Sequence, residues 1–557
     1  MEKIAIIGLA CLFPDAQTPT AFWQNLIDQK DSTSLLTRQD LDGLDPQTFL
    51  ATDGTDPDQA YSLRGGYIRD FNFEATGYHL PADLLSTLDP SVQGSLYTAK
   101  QALQDSGYLH RAANCGLILG NLAFPTRSSH QLFASIYQGT VEPIIRELLQ
   151  QHPVKPEPLS PPPVSPDNAM TFGLPSMIVA QALGLTGTSF SLDAACASSL
   201  YAVELACGYL RSHKADLMLA GAVSYAEPLF TRMLFSGVQA YPKNGISRPL
   251  DSTSRGLTPS DGVGMVVLKR YADAVRDGDR IYATIRGVGL SNDGCGKHLL
   301  SPNQRGQQLA FERAYAQAGI SPGEIDYLEC HATGTLLGDT TELASIETFW
   351  QDQPAPLVGT AKSNVGHLLT AAGMVGLIKV ILAMSKDLIP ATIHVGDPVR
   401  SPNQVISAKQ IVTHPTPWPR RASVKRGAIS AFGFGGTNAH LILEQPLSAE
   451  QALPKATEDS SISGEHPPLQ PLAIIGMDAV FGTYDGLDAL ERSLYEGQQS
   501  FIPLPADRWR GIDKQTDLLQ AYGFEMGEAP KGAYIKSFDI DTLRYKIPPN
   551  EVNSLNP

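Results

Sequence analysis

Short runs of apolar residues alternate along this chain with longer segments whose apolar residues recur at helical spacing. The first run, residues 4–13, predicts a buried strand. Similar runs predict strands at 115–122, 188–193, 217–222, 263–268, 282–290, 325–331, 357–360, 428–432 and 439–444. Helical spacing predicts helices at 172–185, 309–318, 339–349 and 374–384, among others. This alternation predicts an α/β architecture with largely buried sheets.

The pattern of the first strand returns late in the chain. Ile474-Ile475-Gly476 repeats Ile6-Ile7-Gly8, and residues 533–538 resemble residues 66–71. Between the two patterns, Pro, Ser, Glu and Gly dominate a segment that predicts a linker. We therefore expect a second copy of the first fold that is cut short, as in a fragment of a longer protein. The predicted parts are a first domain over 1–445 with halves of about 1–250 and 251–445, the linker over 446–470, and the truncated copy over 471–557.

Composition narrows the class of protein. Hydrophobic residues make up 42% of the 557 residues and charged residues 18%, which is typical of a globular chain with a large core. The net charge of −15 argues against nucleic acid or an anionic membrane surface as a partner. No stretch approaches the roughly 20 apolar residues of a membrane span. The six cysteines show no C-x-x-C spacing, so we expect reduced, mostly buried thiols in a cytoplasmic protein and no metal site. Seven prolines within 153–166 predict an extended surface loop.

One cysteine stands where a predicted strand becomes a helix. Cys196 follows the run 188–193, and helical spacing begins beyond it. A thiol at a helix N-terminus has its pKa lowered, which favours the nucleophilic thiolate. The neighbouring residues are small, so that a substrate could reach the sulfur. The alternative is a buried structural cysteine, the commoner fate of an intracellular thiol.

Three further motifs favour a catalytic role for Cys196 over a structural one. Glu329-Cys330-His331-Ala332-Thr333-Gly334-Thr335 and Lys362-Ser363-Asn364-Val365-Gly366-His367 each carry a histidine, and Phe432-Gly433-Phe434-Gly435-Gly436-Thr437-Asn438-Ala439-His440 is rich in glycine. A phosphate-binding loop is a poor alternative, because no Lys-Ser or Lys-Thr follows the glycines. In this order, the four motifs make residues 1 to about 445 similar to the β-ketoacyl synthase family of the thiolase superfamily.

The resemblance implies a fold and a set of roles. The fold is thiolase-like, with α-β-α-β-α layers built from two duplicated halves. Cys196 would accept the acyl group, and the backbone N–H groups of Cys196 and Phe434 would stabilise the oxyanion. His331 and His367 would donate hydrogen bonds, as neutral imidazoles, to the enolate formed by decarboxylation. This Cys-His-His set resembles elongating rather than initiating synthases.

Supporting residues follow from the same resemblance. Lys362 would support the histidines and pair with Glu342, where the alternative is a surface ion pair of little consequence. Thr333 and Thr335 resemble residues that touch the pantetheine arm of the carrier, and Phe434 resembles the aromatic residue that gates the acyl pocket.

The implied function is decarboxylative Claisen condensation of a Cys-bound acyl chain with a malonyl group on an acyl carrier protein. The alternative is a non-condensing scaffold or transacylation module. The chain would bind no cofactor, because the phosphopantetheine of the carrier brings the substrates. A basic group at Arg420, Arg421, Lys425 and Arg426 could dock an acidic carrier, or could simply be a solvated turn.

The tandem arrangement resembles subunits of polyunsaturated-fatty-acid synthases and heterocyst glycolipid synthases. The second copy would then be a chain-length factor, and the segment 502–509 resembles that domain. The implied partners are other domains or subunits of a multienzyme, with either a homodimer or an intramolecular pseudo-dimer formed with the second copy.

Overall fold

The computed structural model describes residues 2–51, 59–134, 165–294, 300–446, 471–509 and 530–535, together with residues 516, 520 and 542. The chain divides into two compact units, residues 1–132 with 162–455 and residues 133–161 with 456–557. Most of the predicted proline-rich loop and nearly all of the predicted linker lie outside the described residues, as does Cys295.

The first unit contains one ten-stranded sheet and most of the described helices. In chain order, the strands of this sheet are β1 (Ile4–Leu12), β2 (Cys115–Gly120), β3 (Ser189–Leu192), β4 (Leu217–Ser224), β5 (Gly262–Arg270), β6 (Ala283–Asn292), β7 (Tyr327–Glu329), β8 (Leu357–Gly359), β9 (Arg426–Phe432) and β10 (Thr437–Glu444). The helices are α1 (Pro19–Ile27), α2 (Ala82–Ser86), α3 (Pro90–Asp105), α4 (Leu174–Leu183), α5 (Ser198–Arg211), α6 (Pro228–Gly237), α7 (Tyr271–Asp277), α8 (Gln304–Ala318), α9 (Leu336–Trp350), α10 (Lys362–Val365) and α11 (Ala372–Lys386). Two-residue strands pair Ser34–Leu35 with Arg64–Gly65 and Leu388–Ile389 with Thr416–Pro417.

The sheet consists of two sets of five strands with the same topology. The order across it is β8-β7-β9-β10-β6-β1-β5-β4-β2-β3. If the five strands of each set are numbered in chain order, their order from the outer edge of the sheet to its centre is 3-2-4-5-1 in both sets. In both sets the three outer strands are parallel and the two inner ones are antiparallel to their neighbours. Strand β5 belongs to the first set, so the two sets of strands divide between Arg270 and Ala283.

The helices complete five layers, as the resemblance implied. Helices α3 and α4 pack on the outer face of the first strand set. Helices α5 and α11 lie between the two sets and contact both. Helices α8 and α9 cover the outer face of the second set. Strands with helices on both faces are buried throughout, which explains why all nine residues of β1 are apolar or small.

One apolar stretch has the length and composition of a membrane span. Residues Leu369–Lys386 have a mean hydropathy of 1.5, and 83% of them are buried inside the fold. The expectation from sequence that no stretch approaches this length was therefore wrong. Because the stretch forms the central helical layer, its apolar character is explained by contact with both sheets.

The second unit departs from the prediction at its start. Leu472, Ile474 and Ile475 are exposed and do not form the buried strand expected from the repeat. Strand β1 is buried because β5 and β6 flank it, and the described residues of the second unit offer only short hairpins, Val480–Phe481 with Tyr484–Asp485 and Ile502–Pro503 with Lys531–Gly532. Its described helices are Leu487–Glu496 and Ala506–Trp509.

The contact between β6 and α8 provides a test of the fold. A Cβ on Gly289 would lie 1.9 Å from the backbone oxygen of Ala310, so Gly289→Ala must push the helix off the sheet. We expect the free energy of unfolding to fall by about 3 kcal/mol in urea denaturation. The matched control is Gly208→Ala in α5, where a Cβ meets no atom within 4 Å, and where a gain of about 0.5–1 kcal/mol is expected. Equal effects of the two substitutions would contradict this packing.

Candidate active site

Cys196 lies in a tight turn between β3 and α5. A single 3-10 turn, Ala195–Ala197, precedes the first residue of the helix, so the predicted junction of strand and helix is confirmed. Ala195 has a left-handed φ of 48°, which is uncommon for a residue with a Cβ. The Asp193 carboxylate accepts the Ala195 N–H at 2.8 Å, and the Ser198 hydroxyl accepts the Ala194 N–H at 2.8 Å. These bonds hold the strained turn in place.

Burial determines the resting state of the Cys196 thiol. Burial raises the pKa of Cys196 to about 11, although the Phe434 N–H, the Lys362 charge and the Cys196 N–H each lower it. The prediction of a lowered pKa was therefore wrong in its net direction, because desolvation outweighs the helix N-terminus. Burial raises the pKa of Cys115 further, to about 12, where a backbone hydrogen bond opposes it. The described cysteines are all free and buried, namely Cys11, Cys115, Cys196, Cys207 and Cys330.

The two predicted histidines meet beside this turn. His331 follows the end of β7, His367 follows α10, and their ring centroids are 5.4 Å apart. The Nδ1 atom of His367 accepts the Leu369 N–H at 3.1 Å, which places the proton of the neutral ring on Nε2. His367 Nε2 and His331 Nδ1 are buried and have no hydrogen-bond partner among the described residues.

Both imidazoles are neutral near pH 7. Burial lowers the pKa of His331 well below its usual value, and the charge of Lys362 lowers it further. Burial and Lys362 lower the pKa of His367 in the same way. Neutral rings keep one N–H each as a donor and avoid burying additional charge.

Glu342 and Lys362 are both buried, but they are not the ion pair that was predicted. The two Glu342 oxygens accept the backbone N–H groups of His331 and Ala332, each at 2.7 Å. No ion pair within 4.0 Å joins Glu342 to Lys362, both of which the structure describes. Because its oxygens are occupied, Glu342 fixes the His331 loop and acts on Lys362 only through space. Burial raises the pKa of Glu342 to about 7.

The glycine-rich loop between β9 and β10 packs against the nucleophile turn. A Cβ on Gly433 would lie 2.8 Å from the backbone oxygen of Ala194, so this approach requires glycine. The Thr437 hydroxyl donates to the same oxygen at 2.7 Å. The next residue, Phe434, directs its N–H to the Cys196 sulfur and packs its ring 6.2 Å from that of Phe235.

These elements enclose a cavity of about 230 Å³. Thr333 and Thr335 lie on its wall with their hydroxyls 3.0 Å apart. Of the predicted site residues, those that line the cavity are Cys196, His331, Thr333, Thr335, Glu342, His367 and Phe434. Lys362 lies behind the wall, where its charge acts on Cys196 and both histidines.

Some residues around the site were not predicted. Asp293 lines the cavity and accepts a hydrogen bond from Asn438 at 2.7 Å. Asn438 stands in the glycine-rich motif, but the sequence predicted no role for it, and no motif contains Asp293. Glu329 lies in the first histidine motif, but the sequence predicts no role for it, although it accepts the Ala361 N–H at 2.6 Å. Its partner Lys379 stands in the apolar run of α11, and a lysine in such a run is the signal that could have revealed it.

The basic residues before β9 are engaged within the fold. Lys425 is buried and pairs with Asp387 at 2.6 Å, and Arg426 pairs with Glu324 and Glu444. Arg421 donates to two backbone carbonyls, those of Pro354 and Ala355. These contacts favour the structural alternative over a carrier-docking patch, although Arg420 and Arg421 are both exposed.

Family models match this chain over most of its length. The family model described as the N-terminal domain of β-ketoacyl synthase matches residues 1–274 and 469–557. The chain belongs to the β-ketoacyl synthase family. The C-terminal domain model of the same family matches residues 282–396, and the ketoacyl-synthetase C-terminal extension matches residues 402–471.

Relatives of this synthase are parts of large multienzymes. The chain is 34% identical over 573 residues to a polyunsaturated fatty acid synthase polypeptide of Thraustochytrium sp., and the match covers 100% of this chain and 26% of that polypeptide. It is 33% identical over 477 residues to the polyketide synthase GfsB of Streptomyces halstedii, covering 84% of this chain and 8% of that protein. The synthase thus spans about a quarter or less of the length of these relatives.

Solved structures confirm the thiolase-like fold of the synthase. A structure described as the PfaC keto synthase–chain length factor has a TM-score of 0.89 and 47% identity, and covers 98% of this chain and 58% of that one. The chain therefore resembles polyunsaturated-fatty-acid synthases, as predicted. The relatives support the condensing function and do not favour the non-condensing alternative. The heterocyst resemblance and the predicted domain boundaries stay predictions.

The charge of Lys362 gives a test of the site. Because this charge lowers the thiol pKa, Lys362→Met should raise the Cys196 pKa by about one unit. Alkylation of Cys196 by iodoacetamide, followed at pH 8–9 by peptide mass spectrometry, should then slow about tenfold. Lys425→Met removes a buried lysine outside the cavity and is the control. An unchanged rate in Lys362→Met would contradict the electrostatic link.

Proposed function

We propose that this chain catalyses decarboxylative Claisen condensation between an acyl group on Cys196 and a malonyl thioester. The observation that supports it best is one cavity lined by a thiol and two neutral imidazoles, with unpartnered nitrogens at His331 and His367. A buried nitrogen without a partner costs free energy, which a substrate oxygen could recover as a hydrogen-bond acceptor.

The first step transfers the acyl group from its carrier. The Cys196 sulfur attacks the thioester carbonyl, and the N–H groups of Cys196 and Phe434 stabilise the resulting oxyanion. The carrier thiol leaves with the proton of the Cys196 thiol. A thiol with a pKa of about 11 is protonated at rest, so the proton transfer accompanies the attack.

The second step makes the carbon–carbon bond. The malonyl group loses carbon dioxide, and His331 and His367 donate hydrogen bonds to the enolate oxygen that forms. The enolate carbon then attacks the acyl carbonyl, and the Cys196 sulfur leaves as a thiolate as the β-ketoacyl thioester is released. The thiolate takes up one proton from solvent and returns to the resting thiol. Neutral imidazoles suit this role, because N–H donors aligned before the reaction stabilise developing charge in a site with little water.

The partners and substrates follow from this reaction. The enzyme is an acyltransferase, and its substrates arrive on the phosphopantetheine arm of an acyl carrier protein, with Thr333 and Thr335 beside the arm and Phe434 gating the acyl pocket. We propose that the chain itself binds no cofactor and acts in the cytoplasm. The segment 471–557 would belong to a chain-length-factor domain that forms a pseudo-dimer with the first domain, a homodimer being the alternative. The likeness to the PfaC keto synthase–chain length factor supports this part.

The histidines provide the test. With a malonyl thioester of acyl carrier protein and a pre-acylated enzyme, His331→Ala and His367→Ala should each slow carbon dioxide release by about 10²–10³-fold. Transfer of the acyl group to Cys196 should persist, because the thiol and the Phe434 N–H remain. His414→Ala, which changes an exposed histidine outside the cavity, is the control. Acylation of Cys196 without any carbon dioxide release by the unmodified protein would instead support a transacylation module.

A further inference from the structure

A lysine and a glutamate form an ion pair in the centre of the fold. The Lys379 Nζ lies 2.8 Å from a Glu329 oxygen, and their side chains are 0% and 3% exposed. The Tyr327 hydroxyl donates to the same Glu329 oxygen at 2.6 Å and lies 2.9 Å from the Lys379 Nζ. None of the three residues lines the cavity of the active site.

Stability alone gives a weak reason for such a pair. Removing two charges from water costs several kcal/mol for each ion, and an apolar pair of similar volume is often as stable. The position of the pair is more informative. Glu329 ends β7, two residues before His331, and its second oxygen accepts the N–H of Ala361, the residue before α10. One carboxylate thus connects the two segments that carry the histidines.

A glycine in α11 leaves space for the Glu329 side chain. A Cβ on Gly376, one turn before Lys379 in α11, would lie 2.9 Å from the Glu329 Cγ. Any larger residue at Gly376 would displace the glutamate side chain. The helix that brings the lysine therefore also provides the space for its partner.

The pair also affects the charge balance of the site. Glu329 and Glu342 are charged groups that act on Lys362 and favour its positive form. The Lys362 charge in turn lowers the pKa of the Cys196 thiol and that of His331. Because Lys379 pairs with Glu329, it offsets part of the glutamate charge, and more of the positive charge of Lys362 acts on the sulfur and the imidazoles.

We propose that Glu329 and Lys379 are positioning residues, a neutral buried pair that aligns the two histidine loops and preserves the field of Lys362 at Cys196. The proposal rests on the proposed function, in which Cys196 is the acylated thiol. An electrostatic role predicts shifts of the Cys196 pKa in opposite directions when Glu329 or Lys379 is replaced. A role in packing alone predicts no such opposition.

The two single substitutions should shift the thiol in opposite directions. Lys379→Met leaves the Glu329 charge to neutralise Lys362, so the apparent pKa of Cys196 should rise by about one unit. Glu329→Gln removes the negative charge and should lower that pKa. The double variant restores the charge balance and should return the pKa close to that of the unmodified protein. A role in packing alone would slow the reaction of both single variants without opposite shifts.

The experiment follows the rate at which iodoacetamide alkylates Cys196 as a function of pH, resolved by peptide mass spectrometry. No substrate is present, so the result does not depend on whether condensation occurs, and failure of the proposed function would appear separately in the carbon dioxide assay. Lys425→Met is the matched control, because Lys425 is also buried and contacts the C-terminal turn of α11 through the Met384 carbonyl. Its thiol profile should be unchanged.

Opposite shifts in the single variants, with recovery in the double variant, would support the proposal. Shifts in the same direction, or none, would overturn it. If circular dichroism shows that Lys379→Met does not fold, the Cys196 pKa of Glu329→Gln is the deciding measurement. A lower Cys196 pKa in that variant supports the pair as charge-balancing, and an equal or higher value refutes it.

Discussion

The contact between the glycine-rich loop and the nucleophile turn is the constraint on which the site depends. Gly433 packs against the backbone of Ala194, and Thr437 donates to the same carbonyl. The turn follows a strand of the first set and the loop joins two strands of the second, so the contact ties the two halves of the sheet together at the sulfur. The Phe434 N–H reaches Cys196 only because of this approach.

Burial then sets the chemistry of every group in the site. The same loss of water raises the pKa of the thiol and lowers that of both imidazoles, so all three reacting groups are neutral at rest. In such an environment a single fixed charge has a long reach, and the Lys362 charge acts on all three. The protein holds that charge among carboxylates whose oxygens are already occupied by backbone N–H groups or by Lys379.

Much of the fold and site could be predicted from sequence because local patterns carry it. Apolar runs predicted the strands, and the junction at Cys196 needed only a strand followed by helical spacing. The predictions that were wrong concern properties that depend on burial in the tertiary structure. The sign of the thiol pKa could not be predicted from a helix N-terminus, since the depth of the sulfur in the fold decides it. Likewise, the ion pair between Lys379 and Glu329 depends on contact between two segments that lie far apart in the chain.

The exposure of residues at the start of the second unit also depends on tertiary contacts. Ile474 and Ile475 repeat the pattern of β1, but a buried strand also requires neighbours on both edges and both faces, and sequence similarity does not supply them.

The identity of the acylated residue tests the account most directly. The chain would be incubated with an acyl thioester of acyl carrier protein, digested, and mapped by mass spectrometry. We expect one acyl group for each chain, on the peptide that contains Cys196, and no acyl group on Cys196→Ala. Acylation that survives this substitution, or that maps to another residue, would contradict it.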